Sequence, residues 1–184
     1  EHCVIAAGSR VTKLPMFPFE DERVMDSTDA LLLDDIPKKL LIVGGGIIGL
    51  EMATIYDTLG SEITIAELGE QLIPTADKDI INPLFKRIKK IYSNIFLNTE
   101  VAKMTAIKKG IKVNFEGKDA PETDTFDKVL VSIGRSPNGH LLDAEKAGVD
   151  IDKDGFIATN RQMKTNVDNI FAIGDIVGQP MLAH

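Results

Sequence analysis

The sequence predicts an α/β fold, a parallel sheet within a three-layer arrangement, interrupted by a small antiparallel excursion. Three observations carry this reading. Short apolar runs of strand length alternate with stretches of helical periodicity between residues 40 and 97. A glycine-rich turn, Gly44-Gly45-Gly46-Ile47-Ile48-Gly49, joins the first of those runs to the first helical stretch. A strongly apolar run at 126–133 follows a polar, hairpin-like interval and returns the chain to the sheet. The order is β-α-β-α-β, then a meander, then a closing strand.

Taken in order, residues 3–7 read as a strand closed by Gly8-Ser9. Gly8 fits either a plain turn or a close approach of backbone to a ligand. Residues 10–23, with Pro15 and Pro18, form a loop. Asp26-Ser27-Thr28-Asp29 supplies N-cap residues ahead of a short helix at 30–33. Residues 35–39 lead into the central strand at 40–43, and a domain boundary falls there. Helical spacing of Ile48, Met52, Ile55 and Leu59 predicts a helix over 47–59, stopped by Gly60. A second strand, 63–66, ends at Glu67, and 68–74 is a loop. Residues 77–92 show helical periodicity, with Ile80, Ile81, Leu84, Phe85, Ile88 and Ile91 as the apolar set. Residues 95–97 form a third strand, and 102–108 with 111–116 form a hairpin around Lys109-Gly110. The stretch 117–125 is polar. Beyond 126–133, a short helix is expected at 143–149 and a last strand at 169–173, ending in Gly174-Asp175. Asp152-Lys153-Asp154-Gly155 has neither the spacing nor the closing Glu of a calcium loop and reads as a turn.

Composition narrows the function classes. A net charge of −7 argues against nucleic acid or an anionic membrane as main partner. The basic group Lys86, Arg87, Lys89 and Lys90 is short and suits a helix C-terminus. No apolar run approaches the roughly 18 residues of a membrane span. With Cys3 as the single cysteine, neither an internal disulfide nor a C-x-x-C site is possible, and a reducing, cytoplasmic compartment is the default. The chain opens almost inside a strand and stops just after another, so both ends are expected to continue in a longer protein.

The chemistry concentrates at the glycine turn. Gly44-x-Gly46-x-x-Gly49 fits the dinucleotide fingerprint. Gly44 permits the tight turn, Gly46 lets backbone approach a pyrophosphate, and Gly49 lets helix pack on sheet. The helix start presents free N–H groups and the positive end of the dipole to phosphates. Glu67 lies 18 residues past Gly49, close to the roughly 20 expected for the acid that binds the adenosine ribose. That carboxylate repels a 2′-phosphate, and Leu68-Gly69 offers no Arg to receive one, so NAD is favoured over NADP. No Tyr-x-x-x-Lys pattern follows Tyr56 or Tyr92, which argues against a self-sufficient short-chain dehydrogenase.

Three segments extend this reading: Gly44 through Glu51-Met52, Ile133-Gly134-Arg135-Ser136-Pro137-Asn138, and Thr165 through Ile170-Phe171-Ala172-Ile173-Gly174-Asp175. With the strand-to-glycine junctions ending at Gly8, Gly134 and Gly174, they resemble the flavin-dependent pyridine nucleotide–disulfide oxidoreductases over essentially the whole chain. The resemblance implies a Rossmann-like three-layer (β/β/α) FAD/NAD(P)-binding fold. It implies an NAD-binding domain at 35–155, flanked by pieces of an FAD-binding domain at 1–34 and 156–184. In the family, nicotinamide stacks on the flavin, which exchanges electrons with a redox disulfide. By that resemblance Gly44, Gly45, Gly46, Ile47, Ile48 and Gly49 cradle the pyrophosphate of NAD, and Ile47 gates nicotinamide access. Glu51 contacts the nicotinamide end; its alternative reading is an ordinary first-turn helix Glu. Glu67 binds the ribose hydroxyls, Val101 lines the adenine pocket, and Gly134 approaches the nicotinamide side. Gly8, Asp175 and Ala183 fall to the FAD site, Asp175 on the ribityl chain. The redox cysteine pair and the catalytic His-Glu pair have no counterpart here, and His2, His140 and His184 match no catalytic position. No catalytic or metal-binding residue is therefore expected in the chain, and the isolated chain is expected to be inactive. The parent is expected to be a homodimer within 2-oxoacid dehydrogenase complexes. The alternatives are the NAD domain of another flavoprotein disulfide reductase and a non-catalytic NAD-binding module.

Overall fold

The structure, a computed structural model, describes residues 1–182. In chain order its strands and helices are β1 (Cys3–Ile5), β2 (Ser9–Val11), β3 (Val24–Met25), α1 (Ser27–Leu32), β4 (Lys39–Val43), α2 (Ile47–Thr58), β5 (Glu62–Ala66), α3 (Lys78–Ile88) and β6 (Asn94–Phe96). They continue with β7 (Glu100–Ile107), β8 (Gly110–Glu116), β9 (Thr123–Phe126), β10 (Lys128–Val131), β11 (Arg135–Pro137) and β12 (Ile170–Ala172). The chain divides into two compact units, Lys13–Gly134 and Glu1–Thr12 with Arg135–His184. These limits differ from the boundaries expected at 34/35 and 155/156.

The larger unit is built on a five-stranded parallel sheet in the order β3-β10-β4-β5-β6. Strand β4 sits at its centre, with Leu41 opposite Val129 on one side and Thr64 on the other. Side chains of a strand alternate between faces, and here both faces are covered. Leu40, Ile42, Ile63, Ile65 and Leu130 pack with Leu50, Ala53 and Tyr56 of α2 and with Ile81 and Ile88 of α3. Leu41, Val43, Val129 and Val131 pack on the other side with Val101, Met104, Ile111, Val113, Phe115 and Phe126. Those residues belong to the antiparallel meander β7-β8-β9. Helices, parallel sheet and meander are the three expected layers.

Helix α1 starts at Ser27, three residues ahead of the expected 30–33, and Asp26, the first of the expected N-cap residues, is its cap. Asp26 accepts hydrogen bonds from the Thr28 and Asp29 N–H groups, and Asp29 caps Asp26 in return. Gly60 follows the end of α2 at φ +103°, a conformation that favours glycine.

Several elements differ from expectation. The polar stretch 117–125 holds most of a strand, β9, and Phe126 ends that strand rather than opening the next. The parallel strand is the shorter Lys128–Val131. Helix α3 ends at Ile88, where the ladder tightens: the Lys90 and Ile91 N–H groups donate to the Arg87 and Ile88 carbonyls, three residues back rather than four. Lys90 thus lies beyond the helix, and Ile80 and Ile91 are exposed. On α2 the buried face is Leu50, Met52, Ala53 and Tyr56, whereas Leu59 is exposed. The short strands β2, β3 and β11 lie where no strand was expected.

In the smaller unit β1 pairs with β12 in parallel and β2 pairs with β11 antiparallel. Its core is Ala144, Val149, Ile157, Ala172 and Ile176. The helix expected at 143–149 is a single 3-10 turn, Ala144–Ala147, ended by Gly148 at φ +79°. Asp152 Oδ1 accepts from the Asp154 and Phe156 N–H groups, which makes 152–155 the expected turn.

Candidate functional site

The glycine turn connects the end of β4 to α2 at the carboxyl edge of the parallel sheet, where open α/β sheets bind ligands. Its glycines meet different surroundings. Gly44 has φ +101°, and a Cβ there would collide with the Ser132 carbonyl. A Cβ on Gly49 would run into the Gly44 carbonyl and lie 2.8 Å from Ser132 Oγ. Both positions are closed by protein. Gly46 has an ordinary extended backbone, φ −76° and ψ −175°, and a Cβ there would meet no protein atom within 4 Å. Backbone strain and internal packing therefore account for Gly44 and Gly49 but not for Gly46.

Gly46 is the N-cap of α2, and no side chain caps the helix. The first turn holds no acid. Helix α1, by contrast, has a full capping box. The free N–H groups at the start of α2 and the helix dipole favour an anion in the open space beside Gly46.

Glu67 follows β5 and is buried, at 8% exposure. Its Oε2 accepts from the Gly45 N–H at 2.6 Å and its Oε1 from the Gly69 N–H at 2.7 Å. Among the described residues no cation lies in ion-pair range of it. An ionised carboxylate has about four lone-pair sites, so capacity remains for further donors. Gly45 is held from its other side as well, its carbonyl accepting from the Ile73 N–H at 2.9 Å. Ile73 sits at φ +45°, a costly conformation for a β-branched residue. Leu72 lies fully buried under Gly45.

The remaining candidates divide. Ile47 and Ile48 open α2 and are half-buried. Glu51 is exposed on the second turn of α2, not the first, so the first-turn dipole reading of it fails. Val101 is buried among meander residues on β7 and pairs with Phe115. Gly134 follows β10 at φ +134° with open space at its Cβ position.

In the smaller unit Gly8 (φ +64°) and Gly174 (φ +80°) also have nothing within 4 Å of a Cβ. Asp175 accepts from the Ser9 hydroxyl and lies 3.6 Å from Arg135 Nε. Arg135 in turn donates to Ser9 Oγ at 2.6 Å and to Ser9 O at 2.8 Å. Ala183 and His184 lie outside the described residues. His2 and His140 are exposed, and His140 contacts the Lys153 carbonyl at 3.4 Å. Among the described residues no group of three or more His, Cys, Asp or Glu could hold a metal ion.

Sequence reasoning missed Ser132, Leu72, Ile73 and the Ser9–Arg135 contact. Ser132 alone carried a signal, as the polar residue in the apolar run 129–133; its hydroxyl is 3.2 Å from the Val43 and Gly44 carbonyls.

Sheet order, layering and the glycine turn together define a Rossmann-like three-layer FAD/NAD-binding fold. Solved structures of flavoprotein disulfide reductases share it. RclA, a HOCl-induced flavoprotein disulfide reductase from Escherichia coli, matches with TM-score 0.86 at 29% identity, over 99% of this chain and 41% of that one. LpdA from Mycobacterium tuberculosis matches with TM-score 0.86 at 26% identity, over 98% of this chain and 39% of that one.

The chain belongs to the pyridine nucleotide-disulphide oxidoreductase family, whose model matches residues 1–184. Dihydrolipoyl dehydrogenases from Vibrio cholerae and Haemophilus influenzae are 58% and 55% identical to it over 100% of its length. The chain spans 39% and 38% of those two relatives. Among the described residues no helix is long and apolar enough to cross a membrane.

Proposed function

We propose that the chain is the NAD(H)-binding part of a dihydrolipoamide dehydrogenase, carried with flanking pieces of its FAD-binding domain. The parent enzyme reoxidises dihydrolipoyl groups through a redox disulfide and FAD and reduces NAD⁺ to NADH. The observation that carries the nucleotide reading is Gly46, where open space, an uncapped helix start and an acid-free first turn coincide. The identity of 58% over the whole chain supports the choice of parent.

The residues divide the work by position. Gly44 and Gly49 shape the turn, while Gly46 and the N–H groups of Ile47, Ile48 and Gly49 receive the pyrophosphate. Gly45 belongs to the same cradle, and Ile47 gates access to the nicotinamide side. Glu51, exposed one turn further along α2, contacts the nicotinamide end, with Gly134 beside it. Glu67 accepts from the adenosine ribose hydroxyls, and Val101 lies behind the adenine. Gly8 and Asp175 of the smaller unit fall to FAD, with Asp175 held by Ser9 and Arg135 and assigned to the ribityl chain, and the sequence position Ala183 is assigned to the same cofactor. When bound, the two cofactors supply the hydride-transfer chemistry; the residues here bind and orient them. No residue of the chain is assigned a catalytic role, so the isolated chain binds nucleotide without oxidising dihydrolipoamide. The parent acts as a homodimer in a 2-oxoacid dehydrogenase complex. The lone Cys3 suits a reducing, cytoplasmic setting.

The test is titration of the chain with NADH and, separately, NADPH. There is no Trp to act as energy donor, so nicotinamide fluorescence is excited directly. Saturable NADH binding with NADPH at least about tenfold weaker, about 1.4 kcal/mol, is expected. Equal binding of the two would remove Glu67 as the selector, and binding of neither would defeat the nucleotide reading.

A further inference from the structure

We infer that Glu67 is also a positioning residue, which holds the glycine turn in its binding shape before any nucleotide arrives. This rests on the proposed nucleotide site and deepens it. The carboxylate is buried at 8% exposure, and its two oxygens take one backbone N–H each, from Gly45 inside the turn and Gly69 beyond the strand. A buried charge with no cationic partner is costly unless its hydrogen bonds are made. Here two charge-assisted bonds make them. The same bonds fix Gly45, whose carbonyl is fixed in turn by Ile73. Glu67 and Ile73 thus grip one residue of the turn from opposite sides. Ile73 keeps a left-handed backbone while doing so, as expected where surrounding contacts override a local preference.

A residue that acted only through ribose hydroxyls would matter only to ligands that have them. A residue that also positions the turn matters to every ligand bound through its phosphates. The experiment compares ADP with 2′,3′-dideoxy-ADP by calorimetry, on the chain and on Glu67→Gln. Gln keeps the size but sets an NH₂ against one of the two N–H donors. The expected result is that E67Q weakens dideoxy-ADP about tenfold, the effect of losing one hydrogen bond to a charged group, and weakens ADP further. Unchanged affinity for dideoxy-ADP would overturn the positioning role while leaving the ribose contact in place.

A second measurement does not depend on the variant folding. In the unliganded chain, ¹⁵N–¹H spectra should show the Gly45 and Gly69 amide protons shifted downfield and slow to exchange. Random-coil shifts with fast exchange would overturn the inference. If the chain binds neither ADP nor NADH, the nucleotide reading fails, and these two amides still decide whether Glu67 holds the turn.

Discussion

Substituting Gly46 and Gly49 separately should divide binding from folding. Gly49→Ala places a methyl against the Gly44 carbonyl, 2.8 Å from Ser132 Oγ and 3.2 Å from Ile42 Cγ2. Two of those neighbours are fixed, one as backbone and one as a fully buried side chain in β4. Overpacking of this kind costs about 1–3 kcal/mol, and the backbone collision puts Gly49→Ala near the upper end. For a chain of this size each kcal/mol lowers Tm by about 2–4 °C, so a fall of roughly 6–12 °C is expected. Gly46→Ala meets no atom within 4 Å and keeps an allowed backbone. A modest loss at an N-cap and a modest gain from a stiffer unfolded chain leave it within about 1 kcal/mol of the parent. Its methyl nevertheless enters the space assigned to the pyrophosphate, so NADH affinity should fall at least about tenfold. Thermal melts and NADH titrations of both variants are the assay. Gly46→Ala melting as low as Gly49→Ala, or binding NADH as well as the parent, would refute the reasoning.

Other perturbations have equally definite outcomes. Tyr56 is buried and its hydroxyl donates to the Ala30 carbonyl at 2.8 Å, so Tyr56→Phe should destabilise by about 1–2 kcal/mol in urea with NADH binding unchanged. Asp26→Ala removes the cap of α1 and its contact with Lys13, and should cost about 1 kcal/mol in the same assay. The Arg23 guanidinium grips Asp21 at 2.8 and 2.7 Å and holds its carboxyl down from 3.8 to about 2. A folded-state pKa below the unfolded one stabilises above the unfolded value and is lost as pH falls through the folded value. That part of the stability should therefore disappear between about pH 4 and pH 2, and Asp21→Asn should flatten the acid-unfolding curve in that window.

Much of the larger unit was legible because its signals are local. The apolar runs 40–43 and 63–66, the glycine spacing and the Asp26 cap each act within a few residues. The same locality explains the misses. Strand β9 is polar because its inward residue is Phe126 at its very end, so no alternation announces it. Strands β2, β3 and β11 are two or three residues long and exist through pairing with distant partners, such as Val24 with Val129. Helix α3 stops at Ile88 although apolar spacing runs on to Ile91, because the backbone there shifts to bonds three residues back, which side-chain periodicity does not announce. At the candidate site, spacing singled out Glu67 as a candidate but gave no sign of its bonds to the Gly45 and Gly69 N–H groups, which depend on how the loop after β5 folds back. Leu72 and Ile73 were illegible for the same reason.

The most direct test of the central claim maps NAD⁺ onto the chain by ¹⁵N–¹H chemical shifts. The account predicts the largest changes at Gly46, Ile47, Ile48 and Gly49, with a second group at Gly69 and Val101 and around Gly134. Saturable shifts confined to other residues, with the amides of 46–49 unmoved, would contradict it.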